Sequence, residues 1–405
     1  MSAQFFVSAI LIVIVIHALL GLVSYGILLE RKIASWIQDR IGPNRVGPKG
    51  LLQPIADGIK FLIKEDYMPP GVDKVLFTLA PALAVMTAMI GWAVVPWGGY
   101  WDFPGCQIFG WEIPADTVLV AGAPISIGII YIMAVGSLAV YGVVLGGFAS
   151  NNKYSFLGGL RATAQMVSYE IPMGVCILVI VLMHGTARAD YLVELQANGV
   201  WNIFYQPVLA YIFFICTLAE CNRAPFDLAE CEQELVGGFH TEYSSMRFAL
   251  FFLGEYLHMI TASAFFALLF LGGWDLPFVK EPIIGEAAGI GWVLLKSLVF
   301  LVKVAAVIVV MMLIRWTLPR FRFDQLMKHA WRSLIPVTLT ILLLNGLIIY
   351  FGKSGTNWIL MFAANIGTAF LLWRIGHYIP QGPPVNRRVE LEGSRFSAPS
   401  APETA

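Results

Sequence analysis

QFFVSAILIVIVIHALLGLVSYGILLERK, residues 4–32, decides the fold before any other stretch is read. Residues 4–29 contain no Asp, Glu, Lys or Arg. As an α-helix rising about 1.5 Å per residue, the run outreaches the roughly 30 Å hydrocarbon core of a bilayer. No basic residue precedes it and no small-residue cleavage site follows, so it reads as a retained span rather than a signal peptide. Glu30-Arg31-Lys32 marks where the chain leaves the apolar layer. Eight further stretches meet or approach this length, centred on 75–97, 117–148, 161–184, 202–220, 247–272, 289–314, 334–351 and 357–376. The expected fold is an all-α polytopic membrane protein with about nine transmembrane helices and one interfacial amphipathic helix. A single transmembrane domain is expected over 1–380, then a disordered tail over 381–405, rich in Pro, Ser, Ala and Glu.

Composition agrees. Of 405 residues, 58% are hydrophobic and 13% charged, where soluble domains carry about 25% charged residues, which excludes an ordinary soluble enzyme. The 26 basic residues balance 26 acidic ones, so no basic face is available for nucleic acid. Cysteines 106, 176, 216, 221 and 231 form no Cys-x-x-Cys pair. No metal, cluster or other redox cofactor is therefore expected in this chain alone, and such groups would belong to partners. No repeat of 20–50 residues is visible.

Charge placement sets an expected orientation. With the N-terminus outside, the segments 30–74, 149–161, 221–247, 315–333 and 373–405 are cytoplasmic and hold 21 basic residues, against three (Arg188, Lys280 and Lys353) in the opposite loops. The positive-inside rule favours that arrangement. It suits a bacterial inner membrane with the C-terminus cytoplasmic.

The first cytoplasmic loop, about 31–74, is patterned. Leu51, Leu52, Ile55, Ile59, Leu62 and Ile63 form one helical stripe, with Gln53, Asp57, Lys60 and Lys64 on the other side. Too short to span, this helix is expected at the membrane interface, its apolar face against lipid or a lipid-like ligand. A surface helix that merely anchors the loop has the same pattern. The glycines of GPNRVGPKG do not make a phosphate loop, since no Gly-Lys-Ser/Thr follows and prolines remove the amides it needs.

Charged residues inside the spans are the candidate chemistry. Glu170 lies about ten residues into the fourth span, where an ionised carboxylate costs a few kcal/mol and should face protein or water. Pro172 frees the carbonyl of Ser168, and Thr163, Gln165 and Ser168 make this half of the helix polar. Glu255 and His258, three apart, share a face of the sixth span, and Lys296 and Lys303 lie two turns apart on the seventh. Together they are expected to form a polar seam suited to proton relay; a static set of buried ion pairs is the competing reading. The cytoplasmic loop about 221–247 carries Glu220 at its edge, then Asp227, Glu230, Glu232, Glu234 and Glu242 against Arg223 and Arg247. Interleaved with apolar residues, it suggests a docking surface or a proton-collecting funnel rather than a solvated acidic loop.

Several motifs resemble one family. LLERK, QDRIGPNRVGPKGLLQPIADGIK, GLRATAQMVSYEIP, ECNRAPFDLAE, ELVGGFHTEYSSMRFALFFLGEY and RWTLPRFRFDQLM run in order from Leu28 to Met327. They resemble the quinone-site membrane subunits of respiratory complex I (NADH:quinone oxidoreductase), the H subunit in bacteria. The resemblance implies a translocase subunit that binds no cofactor itself. NADH, FMN and iron–sulfur clusters would sit in partner subunits, and quinone would be the substrate. It implies a quinone access tunnel formed by the first span, the interfacial helix and the sixth span, with Arg31, Asp57, Phe226, Arg315 and Arg320 lining or bracing the chamber. It assigns Glu220, Glu230, Glu232, Glu234, Glu242 and Glu255 to an acidic proton-coupling route, with Glu170 deeper in the membrane. Peripheral-arm subunits, other membrane-arm subunits and lipid are the implied partners. Two features depart from the family's pattern: Cys231 stands where glycine is usual, and the ninth span and tail exceed the shorter members. A related hydrogenase or other-donor dehydrogenase subunit, a self-contained secondary transporter and a purely structural anchor remain alternatives.

Overall fold

The computed structural model describes residues 2–108, 111–276, 289–351 and 358–376. Long apolar stretches close their backbone hydrogen bonds internally, the arrangement a hydrocarbon environment demands. Helix α1 (Ala3–Ile37) runs past the charged triplet. Helices α2 (Gln53–Ile63) and α3 (Lys74–Gly91) follow, the latter capped by Asp73, whose carboxylate accepts from the amides of Val75 and Leu76. Strands β1 (Tyr100–Phe103), β2 (Cys106–Ile108), β3 (Trp111–Ile113) and β4 (Asp116–Leu119) make two small antiparallel pairs, β1 with β4 and β2 with β3. Then come α4 (Gly128–Ser137), α5 (Ala139–Ala149), α6 (Lys153–His184), α7 (Ala189–Asn198), α8 (Asn202–Tyr205) and α9 (Pro207–Glu220). The chain continues through α10 (Glu232–Leu235), α11 (Ser245–Phe270), α12 (Ile290–Thr317), α13 (Phe323–His329), α14 (Ile335–Phe351) and α15 (Trp358–Gly376).

Among the described residues, seven helical stretches are long and apolar enough to cross a membrane, with two shorter apolar helices at 207–220 and 359–371. The protein is an all-α, multi-pass membrane protein. Two expected boundaries are corrected. The third span starts at Gly128, because residues 116–119 pair with β1 as strand β4. The fifth is broken at Gln206 (φ −134°, ψ 59°), just before Pro207, which starts α9. The tail over 381–405, with Lys280 and Lys353, lies outside the described residues.

Burial identifies the centre. The most apolar window of α11 is 67% buried and that of α6 is 56%, whereas α1 and α12 reach 28%. Tyr169, Cys176 and Ile180 of α6 meet Leu209 and Phe213 of α9 and Leu257 and Ala264 of α11 in one continuous core. Small residues let α3, α5 and α6 approach closely: a Cβ on Gly142 would lie 3.0 Å from the amide nitrogen of Ala84, and one on Gly147 2.7 Å from the carbonyl of Ser155. The acidic loop is seated just as tightly. Gly238 has φ +63°, and a Cβ there would sit 1.8 Å from the carbonyl oxygen of Ala229, so only glycine fits.

Candidate functional site

Helix α11 stands between two cavities. The first, of about 290 Å³, is bounded by α1, α2 and α11. Arg31 and Asp57 line it and form an ion pair at 2.7 Å, and the Gln53 amide donates to the same carboxylate at 3.1 Å. Val23, Ile27, Phe61, Leu250 and Leu253 make most of the remaining wall apolar. The expected amphipathic helix is present, but its polar side divides. Gln53 and Asp57 turn inward to the cavity, whereas Lys60 and Lys64 are exposed. All six residues of its apolar stripe are exposed, from Leu52 at 46% to Ile63 at 80%, and Leu62 also reaches the rim of the cavity. That outward apolar face is the inverse of a water-soluble surface helix and fits one resting on lipid.

The second cavity, of about 200 Å³, lies on the other side of α11. Glu220, Glu230 and Glu255 line it together with His240, His258 and Asn222. The Nε2 atom of His258 is buried there without a protein partner. Withdrawal from water raises the Glu230 carboxyl well above its usual range, the negative Glu255 and Asp227 add to this, and Arg223 and Arg315 partly oppose it. Burial lowers the His240 imidazole to about 4. His240 is therefore neutral near pH 7, and its 3.4 Å approach to Glu230 is not a charged pair. Glu170 on α6 lies close enough to Glu220 for the two carboxylates to interact, which places it one step beyond this cavity.

Between the cavities lies a cluster that sequence reasoning missed. Glu30, only 6% exposed, pairs with Arg315, lies 3.5 Å from Arg223 and accepts a hydrogen bond from the Tyr256 hydroxyl. Arg223 in turn pairs with Glu255 at 2.5 Å and stacks over the Tyr256 ring at 4.3 Å. Four separate segments thus meet in one buried network. The available signal was the position of Glu30, inside a helix that continues to Ile37 rather than at its end.

The other expected residues divide. Arg320 pairs with Asp227 at 2.9 Å and donates to the Cys231 sulfur at 3.4 Å. Phe226 is buried against Phe321 and Tyr169 and lines neither cavity. Glu234 pairs with Arg161, and Glu242 accepts from Asn152 at 2.6 Å, beside the start of α6, so neither reaches the acid cavity. The Glu232 side chain lies outside the described residues. The expected seam does not include the lysines. Lys303 donates to the carbonyls of Leu271 at 2.7 Å and Asp275 at 2.5 Å. Leu271 is 16 residues beyond Glu255, about 24 Å along a helical path. Lys296 lies near Gly99 and Trp274. Both belong to the far end of α11. Among the described residues, no group of three or more His, Cys, Asp or Glu side chains is arranged to hold a metal ion.

Known proteins resemble this chain over most of its length. The model of the NADH dehydrogenase family matches residues 9–346. A Cytophaga hutchinsonii protein, named as the first H subunit of an NADH-quinone oxidoreductase, is 45% identical over 322 residues, 80% of this chain and 90% of its own. The H subunit of the same enzyme from Flavobacterium psychrophilum is 42% identical over 349 residues, 86% of this chain and 98% of its own. The second H subunit from Geobacter sulfurreducens is 45% identical over 340 residues, covering 84% of this chain and 95% of its own.

Proposed function

Since this chain belongs to the NADH dehydrogenase family, we propose that its two cavities are the quinone access tunnel and the start of the proton-coupling path of an NADH-quinone oxidoreductase. The chain is a membrane subunit of that enzyme, as its relatives are. Electrons would come from partner subunits that carry flavin and iron–sulfur clusters. Lipid-soluble quinone would enter between α1, α2 and α11, where the wall is apolar and opens beside the lipid-facing stripe of α2. Arg31 and Asp57 would brace that mouth, with Arg315 and Arg320 holding the carboxylates deeper in. The basic loops support an orientation with the N-terminus outside, and that bias fits a bacterial inner membrane.

The observation that carries the reading is the acid cavity behind α11, from which the Glu30–Arg223–Glu255 network runs to α1, next in the chain to Arg31 of the first cavity. Reducing a quinone to quinol takes two electrons and two protons. Charge appearing beside Arg31 and Glu30 changes the field at Glu255 and Glu230, and with it their hold on protons. Glu220 and Glu170 extend the series toward the middle of the membrane. In the assembled complex, Glu230→Gln and Glu255→Gln are expected to depress proton pumping together with quinone reduction. Wild-type rates of both in both variants would sink the assignment.

A further inference from the structure

Helix α11 shows a different stripe to each cavity. Met246, Ala249, Leu250 and Leu253 face the cavity shared with α1 and α2. Phe248, Phe251, Glu255 and His258 face the acid cavity. Spacings of three and four residues keep each set on one side of the helix. Phe252 falls on the border, and among the described residues it is the one side chain that lines both cavities. One turn further on, Tyr256 occupies the same border. Its ring meets Phe252 edge-on at 5.0 Å, and its hydroxyl is fixed on Glu30. Phe252 also stacks on Phe248 at 6.3 Å. At Tyr256, then, the border is closed by a hydrogen bond and ion pairs; at Phe252 it is closed by an aromatic ring alone.

The two spaces have opposed requirements. The first suits an apolar tail, while the second holds carboxyl groups and a buried imidazole nitrogen that exchange protons only through water or one another. A single water needs only about 15 Å³ of room for its centre, so deleting the ring would let a file of waters run between them. We propose that Phe252 is the partition that insulates the acid cavity from the lipid-facing tunnel, so that protons gathered by Glu230 and Glu255 do not escape sideways. This rests on the reading of the two cavities given above.

The experiment measures protons moved per electron, a ratio independent of turnover rate, in the assembled complex reconstituted into liposomes. Phe252→Ala is expected to lower the ratio. Leu253→Ala, which enlarges the tunnel away from the border, is expected to keep the ratio while weakening quinone binding. An unchanged ratio in Phe252→Ala overturns the partition, and so does an equal fall in both variants. If Phe252→Ala does not assemble, Phe252→Val carries the same expectation and decides. The tunnel reading fails separately: Leu253→Ala and a space-filling Ser24→Trp would then both leave quinone kinetics unaltered.

Discussion

The two ends of α11 treat buried polar groups in opposite ways. At the Phe270 end Gln196, Asn202, Lys303 and Trp201 all have partners. The amide of Gln196 donates to the carbonyl of Leu268 at 2.9 Å, that of Asn202 to Leu269 at 2.8 Å, and Lys303 to Leu271 at 2.7 Å. Trp201 lies over the Lys303 ammonium at 4.2 Å and bonds the Asp275 side chain at 2.9 Å. These groups cap the last carbonyls of a helix that ends inside an apolar bundle. Near Glu255 the groups outnumber their partners: His258 Nε2 and Asp227 Oδ1 are buried without one, and both cavities adjoin. Polar groups that are fully partnered hold a fold together. A surplus facing open space is where protons can be taken up.

Three substitutions sharpen this comparison, and the largest effect is expected at the crowded end. Glu30→Ala leaves Arg315 and Arg223 without their shared carboxylate, and stranding a buried partner costs about 3–5 kcal/mol. Little assembled complex should accumulate in membranes, scored by native electrophoresis. Wild-type abundance would mean that the network contributes no structural support. At the matched end, Lys303→Met orphans two part-buried carbonyls at about 1 kcal/mol each. Resistance to thermal inactivation should drop while the proton-to-electron ratio stays at the wild-type value; a changed ratio would erase the contrast between the ends. The smallest effect concerns pH. His240 is held near 4 against an ordinary 6.5, so between those values the unfolded chain binds the proton that the folded chain excludes. Stability from this group is therefore full above about pH 6.5 and declines as pH falls toward 4. His240→Gln should flatten that decline in thermal inactivation measured at pH 7 and pH 5. An unchanged slope would show that the imidazole is hydrated in the folded protein.

Much of this was legible in the chain. Most of the apolar stretches fall where helices form, and the stripe on α2 is exposed on the side that the pattern marks as apolar. Glu255 and His258 share a face because their spacing is local to one helix. The acidic loop was harder. Glu230, Glu234 and Glu242 look alike in sequence, yet only Glu230 reaches the cavity, while Arg161 and Asn152 claim the other two. Lys303 resembled a relay residue and proves to be a helix cap. Of the residues that the family motifs single out, Arg31, Asp57, Glu220, Glu230 and Glu255 line the two cavities, while Phe226 packs between Tyr169 and Phe321.

Sequence alone was enough to show a multi-pass, all-α membrane protein and where most of its long apolar helices lie. Those properties sum over neighbouring residues, and a run of apolar side chains needs nothing distant to prefer lipid. Only the tertiary structure decided which charges meet. Glu30 and Arg315 are 285 residues apart, and Phe252 lines both cavities only once α1, α2 and α3 have packed around α11. Helix propensity and hydropathy carry no record of such distances, because packing between remote segments sets them.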